Sequence, residues 1–373
     1  MSDARRPLLL AVSIPPPVTG QGVATRMLLR ALEREGLPFR ALNLAYPFQP
    51  RAGLLWRLGR ALKVLGMALR ILFAPRRCGL FYLQLGQSKG SLARDAVLCA
   101  AARLRRLPLL FHVHGGGYRA AYDAAPGWLR ACARFFLRRA RGVVVLSPGL
   151  RAMFDGLVEP ARVWVVPNGV EEDLRCAAEA APAPDYAAPE LRALFLSNLI
   201  ESKGYVEFLE LARRARDEGL PVSFSLAGNR TEESTVDPEA FAREHRLERL
   251  EYAGPVGGEA KAALLARSHL FVFPTRYPVE GQPISILEAF HFGLAVLSTP
   301  AGGIPDVVAE GRNGFLVAPG TAERLLPLLR RLADDRAELR RIGEANRAEA
   351  RARYTEAAHA AALLDCIRRS ARS

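Results

Sequence analysis

The sequence predicts an α/β protein with two domains, each built on a parallel sheet. Short apolar runs alternate with longer helical patterns along the chain, which is typical of parallel strands joined by crossover helices. The alternation of strands and helices is interrupted at the Ala/Pro-rich segment "CAAEAAPAPDYAAPE" (176–190) and continues after it. A chain of 373 residues is also long enough to bury two hydrophobic cores.

The apolar runs set the predicted order of elements. In the first half the strands are "PLLLAVSI", "FRALNLA", "GLFYLQL", "LPLLFHVH", "GVVVLS" and "RVWVVPNGV"; in the second half they are "LRALFLSNL", "PVSFSLAG", "LEYAG", "LFVFPT", "AVLSTP" and "GFLVAP". We therefore predict an N-terminal domain over 1–175, a linker over 176–190, a C-terminal domain over 191–350 and a terminal helix over 351–373 that packs back on the first domain. Because ligands bind outside the carboxyl ends of parallel strands, we expect two Rossmann-like α/β/α domains facing across a cleft.

The cysteines and the apolar stretches indicate the cellular compartment in which the protein is expected. The five cysteines lie at 78, 99, 132, 176 and 366, without the spacing of a zinc or redox motif, and so favour a reducing cytoplasm. We expect no signal peptide, since the first apolar run is short and leads into three prolines. The longest apolar stretch is interrupted by four basic residues, which argues against a membrane-spanning segment.

The positive charge is concentrated in the first half. Residues 1–190 hold 27 Lys and Arg against 13 Asp and Glu, whereas residues 191–373 hold 25 of each. No acid occurs between Glu35 and Asp95, a segment with ten basic residues. The first domain is therefore expected to meet an anionic partner.

Segment 51–77 is the predicted contact with an anionic membrane surface. Six leucines recur at helical spacing and form one stripe: Leu54, Leu58, Leu62, Leu65, Leu69 and Leu72. The basic residues fall on other faces, where Trp56 and Met67 lie among them. We expect that basic side to dock peripherally on the inner face of the membrane. The alternative is a core helix with a solvated basic face.

Two carboxylates in "PVEGQPISILEAFHFG" are the first candidates for chemistry. Glu280 lies ahead of a helix that we predict to open at Ser285, and Glu288 lies about one turn inside it. Unpaired N–H groups at a helix start suit a phosphate. A carboxylate can accept paired hydrogen bonds from vicinal hydroxyls, as in a ribose. The alternative is that both are solvated surface acids.

The stretch "PVEGQPISILEAF" resembles the E-x7-E motif of the family-4 retaining glycosyltransferases of GT-B fold. Six further stretches are similar to elements of that family, in matching order: "PPPVTGQGVATRML", "FHVHGGGY", "VPNGV", "LFLSNLIESKG", "PAGGIPDVV" and "EGRNGFLV". Several motifs in order within a matching α/β context are strong evidence.

The resemblance implies roles for residues of the second domain. Glu288 would bind the ribose hydroxyls and Glu280 the hydroxyls of the donor sugar, while Lys203 would neutralise the donor diphosphate. The partner that is usually Arg is here Asn198, so the diphosphate site is weaker or completed by another cation, with Arg276 as a possible substitute. The remaining donor-binding residues would be Gly281, Gln282, Pro283 and Ile284. Asp306, in the position of a family acid, is expected to be structural.

In the first domain the resemblance points to His114, which would lie over the donor sugar. His112, two residues earlier, would point to the same face of its strand and is expected to be structural. A metal site is not predicted, because no third ligand has suitable spacing. Gly20 and Gly22 would let backbone N–H groups approach a phosphate or the acceptor.

The activity implied is retaining transfer of a hexose from a nucleotide-diphosphate sugar, most simply a UDP- or GDP-sugar. The acceptor would be a saccharide or lipid-linked saccharide, in cell-surface polysaccharide or glycolipid synthesis. No metal or other cofactor is expected. A sugar-nucleotide epimerase or a phosphorylase on the same fold is the alternative. A nucleic-acid-binding protein is the least favoured, because the basic half lacks an aromatic platform or recognition helix.

Overall fold

The protein folds into two α/β units. The computed structural model describes residues 6–16, 19–45, 53–75 and 78–371. Unit 1 comprises Met1–Asn168 and Ala357–Ser373, and unit 2 comprises Gly169–Glu356. Each unit contains a six-stranded sheet in which every neighbouring pair of strands is parallel. The predicted fold class is confirmed.

Unit 1 has the strand order β2-β1-β3-β4-β5-β6. Its strands are β1 (Leu8–Val12), β2 (Phe39–Asn43), β3 (Leu80–Gln84), β4 (Leu109–His112), β5 (Gly142–Val145) and β6 (Val163–Val165). Its first five helices are α1 (Gly20–Arg34), α2 (Leu54–Leu72), α3 (Lys89–Leu104), α4 (Tyr118–Asp123) and α5 (Gly127–Arg139). The order reverses between β1 and β3, and a crevice at the carboxyl ends of the strands is expected at such a switch point.

The two faces of this sheet are covered by different helices. Alternate strand residues point to opposite faces, so Phe81 and Leu83 share one core cluster with α2, α3 and α5. Leu80 and Tyr82 lie in the other cluster, which α1 and the last helix of the chain complete. That last helix, α13 (Glu356–Ala371), contributes Leu363, Leu364, Cys366 and Ile367 to the cluster.

Unit 2 has the strand order β12-β11-β10-β7-β8-β9, the doubly wound order of dinucleotide-binding domains. Its strands are β7 (Leu191–Leu196), β8 (Val222–Ala227), β9 (Leu250–Gly254), β10 (Leu270–Phe273), β11 (Ala295–Ser298) and β12 (Gly314–Leu316). Its helices are α6 (Glu172–Ala180), α7 (Tyr205–Asp217), α8 (Pro238–Glu244), α9 (Gly258–Arg267), α10 (Ile284–His291), α11 (Ala322–Asp334) and α12 (Arg336–Arg353). One core cluster runs through the whole unit.

The segment that we predicted as a linker belongs to unit 2. The division between units falls after Asn168, and the alanine-rich stretch begins inside helix α6, whose Leu174 and Ala178 are buried at helical spacing. Farther along, the buried Tyr186 donates a hydrogen bond to the Gly293 carbonyl oxygen (3.0 Å). Alanine favours helix over an extended linker. The buried side chains of Ala178 and Tyr186 fix the segment to the unit 2 core.

The orientation predicted for α2 is wrong. Met67, which we expected on the docking side, is buried against the sheet together with Ile71. The leucine stripe faces outward instead, with exposed fractions of 50% for Leu58 and 67% for Leu62. The side chain of Leu54, and residues 51–52 and 76–77 of the predicted segment, lie outside the described residues. Both faces of α2 are apolar, so periodicity alone could not decide which one packs on the sheet.

Among the residues that the structure describes, no helix combines the length and hydropathy needed to cross a membrane.

Candidate active site

The candidate residues of unit 2 gather where its strand order reverses. The chain leaves β7 and runs next to β8, whereas β10 lies on the other side of β7. The chain segments that follow β7 and β10 therefore lead to opposite sides of the sheet, although the two loops start next to each other. Ligands of doubly wound sheets bind between such loops. The loop after β7 carries Lys203, and the loop after β10 carries Glu280.

Lys203 and Glu280 form an ion pair across this switch point. Lys203 Nζ lies 2.9 Å from Glu280 Oε2, and the two side chains are only 17% and 7% exposed. Thr275 Oγ1 donates a second hydrogen bond to the same carboxylate oxygen (3.3 Å). The ammonium also lies 4.4 Å from the centre of the Tyr277 ring. A fixed positive charge is thus held at the carboxyl edge of the sheet.

The two loops are locked together by backbone contacts. The Arg276 N–H donates to the Ser202 carbonyl oxygen (2.7 Å). Gly204 adopts a left-handed conformation (φ +89°), and a Cβ there would lie 2.4 Å from the Pro274 oxygen. Only glycine fits such a position, which explains the glycine after Lys203. The position of the ammonium is therefore set by main-chain packing as well as by its carboxylate partner.

Arg276, the possible substitute for the missing arginine, is engaged elsewhere. Its guanidinium pairs with Glu201 (2.9 Å) and with Glu207. Asn198, which we predicted to take the place of the family arginine, accepts a hydrogen bond from Asn229 Nδ2 (3.3 Å). Two carboxylates offset the charge of Arg276, so Lys203 is the stronger candidate for neutralising a diphosphate.

Glu288 also has a lysine partner, which the sequence did not reveal. Lys261 Nζ, from the first half of α9, lies 2.6 Å from Glu288 Oε1, with side chains 19% and 8% exposed. The second candidate acid is therefore buried and paired, as the first one is. A lysine within the otherwise apolar stretch "AKAALLA" was the available signal.

The start of α10 is suited to an anion. Of the seven helices assigned to unit 2 in the described chain, α10 alone has no acid in its first turn. Acids in the first turn stabilise a helix dipole, and their absence leaves the N–H groups of α10 for a ligand. The predicted donor-binding residues Gly281, Gln282, Pro283 and Ile284 form this entry.

The loop after β11 packs under this entry. The Gly303 N–H donates to the Gly281 carbonyl oxygen (2.7 Å). Gly302 has φ +55°, and a Cβ there would lie 2.1 Å from the Glu280 oxygen. Gly302 is thus needed for close approach to the glutamate loop. Asp306 lies in the short 3-10 turn that follows them.

In unit 1 a glutamine organises the polar residues at its switch point. Gln84 Oε1 accepts hydrogen bonds from the Ser13 N–H (2.7 Å) and from Gln21 Nε2 (2.9 Å). Its Nε2 lies 2.9 Å from Thr25 Oγ1 and 3.2 Å from His114 Nε2. Gln84 was not predicted, because a glutamine at the end of a strand has no motif.

This network fixes the state of His114. The Ser13 N–H can only donate, so it identifies the Gln84 oxygen, and the Gln84 amide must then donate to His114 Nε2. The ring proton is consequently on Nδ1. Burial, and to a lesser extent the charge of His359, lower the pKa of His114 to about 3. His114 is therefore a neutral imidazole that can donate a hydrogen bond through Nδ1.

His112 and the glycines of the first loop have local roles. The rings of His112 and His114 lie 4.0 Å apart, so the two do share a face. His112 Nδ1 is 2.6 Å from the Tyr82 hydroxyl, deep in the sheet. Gly20 is the first residue of α1, and a Cβ on Gly22 would lie 2.9 Å from Pro15 Cγ. Pro17 and Val18 of this loop lie outside the described residues.

Two solved structures share this fold over nearly the whole chain. HepE from Anabaena, in complex with UDP and glucose, is 18% identical, covers 97% of this chain and 99% of its own, and superposes with a TM-score of 0.71. Sucrose-phosphate synthase from Thermosynechococcus elongatus is 20% identical, with 98% of each chain covered and a TM-score of 0.72. The fold is therefore that of the GT-B class.

Sequence comparison gives the family. Residues 18–174 match the model for glycosyltransferase family 4, and residues 185–349 match that for glycosyl transferases group 1. Together they account for most of the chain, which belongs to the family-4 glycosyltransferases.

Curated relatives match over shorter stretches. Sulfoquinovosyl transferase of Arabidopsis thaliana is 37% identical over 26% of this chain and 19% of its own length. A putative colanic acid biosynthesis glycosyltransferase, WcaL of Salmonella typhimurium, is 27% identical over 36% and 34%. Glycogen synthase of Mycobacterium tuberculosis is 26% identical over 59% and 52%. The chain thus spans between about a fifth and about half of the length of these relatives.

Proposed function

We propose that the protein transfers a hexose from a nucleotide-diphosphate sugar to a saccharide or lipid-linked saccharide, with retention of the anomeric configuration. The observation that carries this proposal is the Lys203–Glu280 pair at the unit 2 switch point, next to the acid-free start of α10. In the proposed complex the ammonium of Lys203 would face the diphosphate and the carboxylate of Glu280 would face the sugar hydroxyls. The buried Glu288 supplies the acceptor of ribose hydroxyl hydrogen bonds.

In the proposed reaction, charge on the leaving diphosphate must be stabilised and the proton of the acceptor hydroxyl must be removed. As the bond between the anomeric carbon and the diphosphate oxygen breaks, negative charge builds on the leaving group, and a prepositioned ammonium stabilises it more than the ground state. Lys203 can serve because an ammonium has three N–H donors. The acceptor hydroxyl attacks from the face that the diphosphate leaves, and its proton passes to the departing phosphate. Anomeric retention is read directly from the product by NMR.

The donor is proposed to be a UDP- or GDP-sugar. Supporting this, one structural neighbour is a complex with UDP and glucose, and one curated relative is a glycogen synthase. A thermal-shift screen of UDP-, GDP- and ADP-sugars tests the proposal, since a ligand that binds the folded form raises the melting temperature. Donor turnover that needs no acceptor would favour the epimerase alternative, and the absence of any stabilising nucleotide sugar would contradict the proposed function.

We expect transfer to survive EDTA. Charge on the leaving diphosphate is offset here by Lys203 and by the N–H groups at the start of α10, so no task remains for a divalent ion. The measurement is the initial rate with and without excess chelator, using a donor identified in the thermal-shift screen. A loss of activity that Mg²⁺ or Mn²⁺ restores would show that the assignment is incomplete.

The second part of the proposal is peripheral docking on an anionic membrane through α2, α3 and α5. These helices are neighbours on one face of the unit 1 sheet. In the described residues, all the exposed large apolar side chains lie on them or directly after α2: Leu55, Leu58, Leu62, Leu65, Leu69, Phe73, Val97, Leu104, Trp128 and Phe135. We call this set the apolar face. An exposed patch of this kind marks an interaction surface.

The charge around the apolar face supports an anionic lipid surface as its proposed occupant. The three helices contain eleven Lys and Arg residues and one acid, Asp95, which is buried. Apolar groups with surrounding cations match an anionic leaflet, where each Lys or Arg near the surface contributes about 1 kcal/mol. In this proposal the protein docks on the inner face of the membrane, next to a lipid-linked acceptor.

Substituting the apolar face should release the protein from vesicles. We expect Leu62→Glu/Leu65→Glu to reduce co-sedimentation with phosphatidylglycerol vesicles at least tenfold, because it puts two carboxylates against an anionic surface. The matched control is Ala337→Glu/Ala348→Glu, two exposed positions on α12 with the same added charge. Equal recovery of parent and Leu62→Glu/Leu65→Glu proteins in the supernatant, at low and high salt, would point to a soluble acceptor.

A further inference from the structure

Gln84 is a buried amide that joins three neighbouring strands of unit 1. It is the last residue of β3, which lies between β1 and β4, and its side chain is buried. A buried amide is stable only when its polar atoms find hydrogen-bond partners. Gln84 uses all four positions that an amide offers. Its oxygen accepts from Ser13 and Gln21, and its nitrogen faces Thr25 and His114.

Two independent contacts fix which way this amide points. The main-chain N–H of Ser13 identifies the oxygen, as described above. The Thr25 hydroxyl donates its own proton to the Gln21 carbonyl oxygen (2.9 Å), so towards Gln84 it can only accept and must face the amide nitrogen. Reversing the amide would disrupt both contacts. The second amide N–H is therefore committed to His114 Nε2, which has to be the unprotonated ring nitrogen.

The rest of the His114 ring is available to a ligand. The side chain is only half-buried, and the His112 ring lies beside it with 4.0 Å between the two ring centres. Within the described part of the chain, the ring makes its hydrogen bond to Gln84 and no other. The Nδ1–H group is thus a donor without a protein acceptor, and the hydroxyl oxygens of a sugar are acceptors of the matching kind.

We propose that Gln84 is a positioning residue for sugar transfer, which holds His114 in the Nδ1–H form and so makes it a hydrogen-bond donor to an oxygen of the sugar substrate. This inference rests on the proposed function. Gln84 occupies His114 Nε2 and the proton occupies Nδ1, so the neutral ring has no free nitrogen with which to take up a proton. His114 is then not the base for the acceptor hydroxyl, whose proton passes to the departing phosphate.

The tautomer of His114 can be read from a long-range ¹H–¹⁵N correlation spectrum of the full chain labelled at histidine, with His114→Ala used to assign its signals. In the parent protein we expect a protonated Nδ1 and an unprotonated Nε2. Gln84→Glu replaces the amide donor by an acceptor, so Nε2 should become protonated. Thr25→Val is the matched control: it removes a hydrogen bond of the same amide, but not the bond to His114, and should keep the parental tautomer.

Kinetics test whether this tautomer matters for transfer. At a pH at which the spectrum shows a neutral ring, Gln84→Glu should lower kcat/KM for the donor about tenfold, as expected for the loss of one hydrogen bond. In a His114→Ala background the same substitution should have less than about a twofold effect, because no histidine remains to be positioned. An equal loss in that background would mean that the added charge acts directly, and the proposal would be wrong.

Two further outcomes would overturn the proposal. One is a protonated Nε2 of His114 in the parent protein, a result that requires no variant to fold. The other is a parental kcat/KM in Gln84→Glu once its tautomer has reversed. The spectra need neither donor nor acceptor, so the link between Gln84 and His114 is tested separately from the nucleotide-sugar screen, and a failure of the proposed function would be recognised there.

Discussion

Lys203→Ala is expected to lower kcat for sugar transfer about 10²- to 10³-fold. The ammonium lies at the unit 2 switch point, and removing one preorganised group that faces developing charge costs roughly 2.7 to 4 kcal/mol of barrier. The loss should appear in kcat more than in KM, because the interaction strengthens as the diphosphate departs. The measurement is steady-state transfer with a donor and acceptor identified by screening.

Lys203→Ala is also expected to lower the stability of the fold. Without Lys203 the carboxylate of Glu280 stays buried, at 6% exposure, with no ammonium beside it, and such a change destabilises the fold. Lys203→Ala/Glu280→Gln removes both charges and should regain the melting temperature of the parent while staying inactive. A Lys203→Ala protein that transfers sugar at the parental rate would refute the diphosphate assignment, whatever its stability.

The fold and the positions of the candidate residues followed from the sequence, but their partners did not. Alternating apolar runs predicted both sheets, and "EGQPISILEAF" predicted where α10 begins to within a residue. The contact between Lys203 and Glu280 spans 77 positions and depends on β10 lying beside β7. Strand order is a tertiary property that a local pattern does not carry, so each residue could be named without its partner.

Two features show where pattern reasoning reaches its limit. In α2 the leucine stripe and the Met67–Ile71 side are both apolar, and amphipathic periodicity assigns the more regular stripe to the core. The structure exposes most of that stripe and buries Met67 and Ile71 against the sheet instead. Gln84 likewise has no signature, although it connects four residues at the unit 1 switch point. The role of a polar side chain at a strand end depends on which residues the neighbouring strands place next to it.

Glu288→Ala is expected to lower kcat/KM for the donor about 10- to 100-fold, with most of the effect on KM. Hydrogen bonds to a charged group are worth roughly 1.5 to 3 kcal/mol, and a ribose is bound alike in ground and transition states, so its loss raises KM. The measurement is donor-dependent steady-state kinetics, together with the shift in melting temperature that the donor produces.

Lys261 offers the matched test of the same site. Its ammonium lies 2.6 Å from Glu288 Oε1, so Lys261→Met should leave the carboxylate in place but less firmly oriented, with a smaller rise in donor KM and an unchanged kcat. Glu288→Gln keeps the size of the side chain and removes its charge; it should fall between the two single losses, because an amide oxygen can accept one of the ribose hydrogen bonds but binds Lys261 less strongly. If Glu288→Ala had the donor KM of the parent, the hydroxyl-binding role would belong to another residue, and the buried Lys261–Glu288 pair would then serve to join α9 to α10.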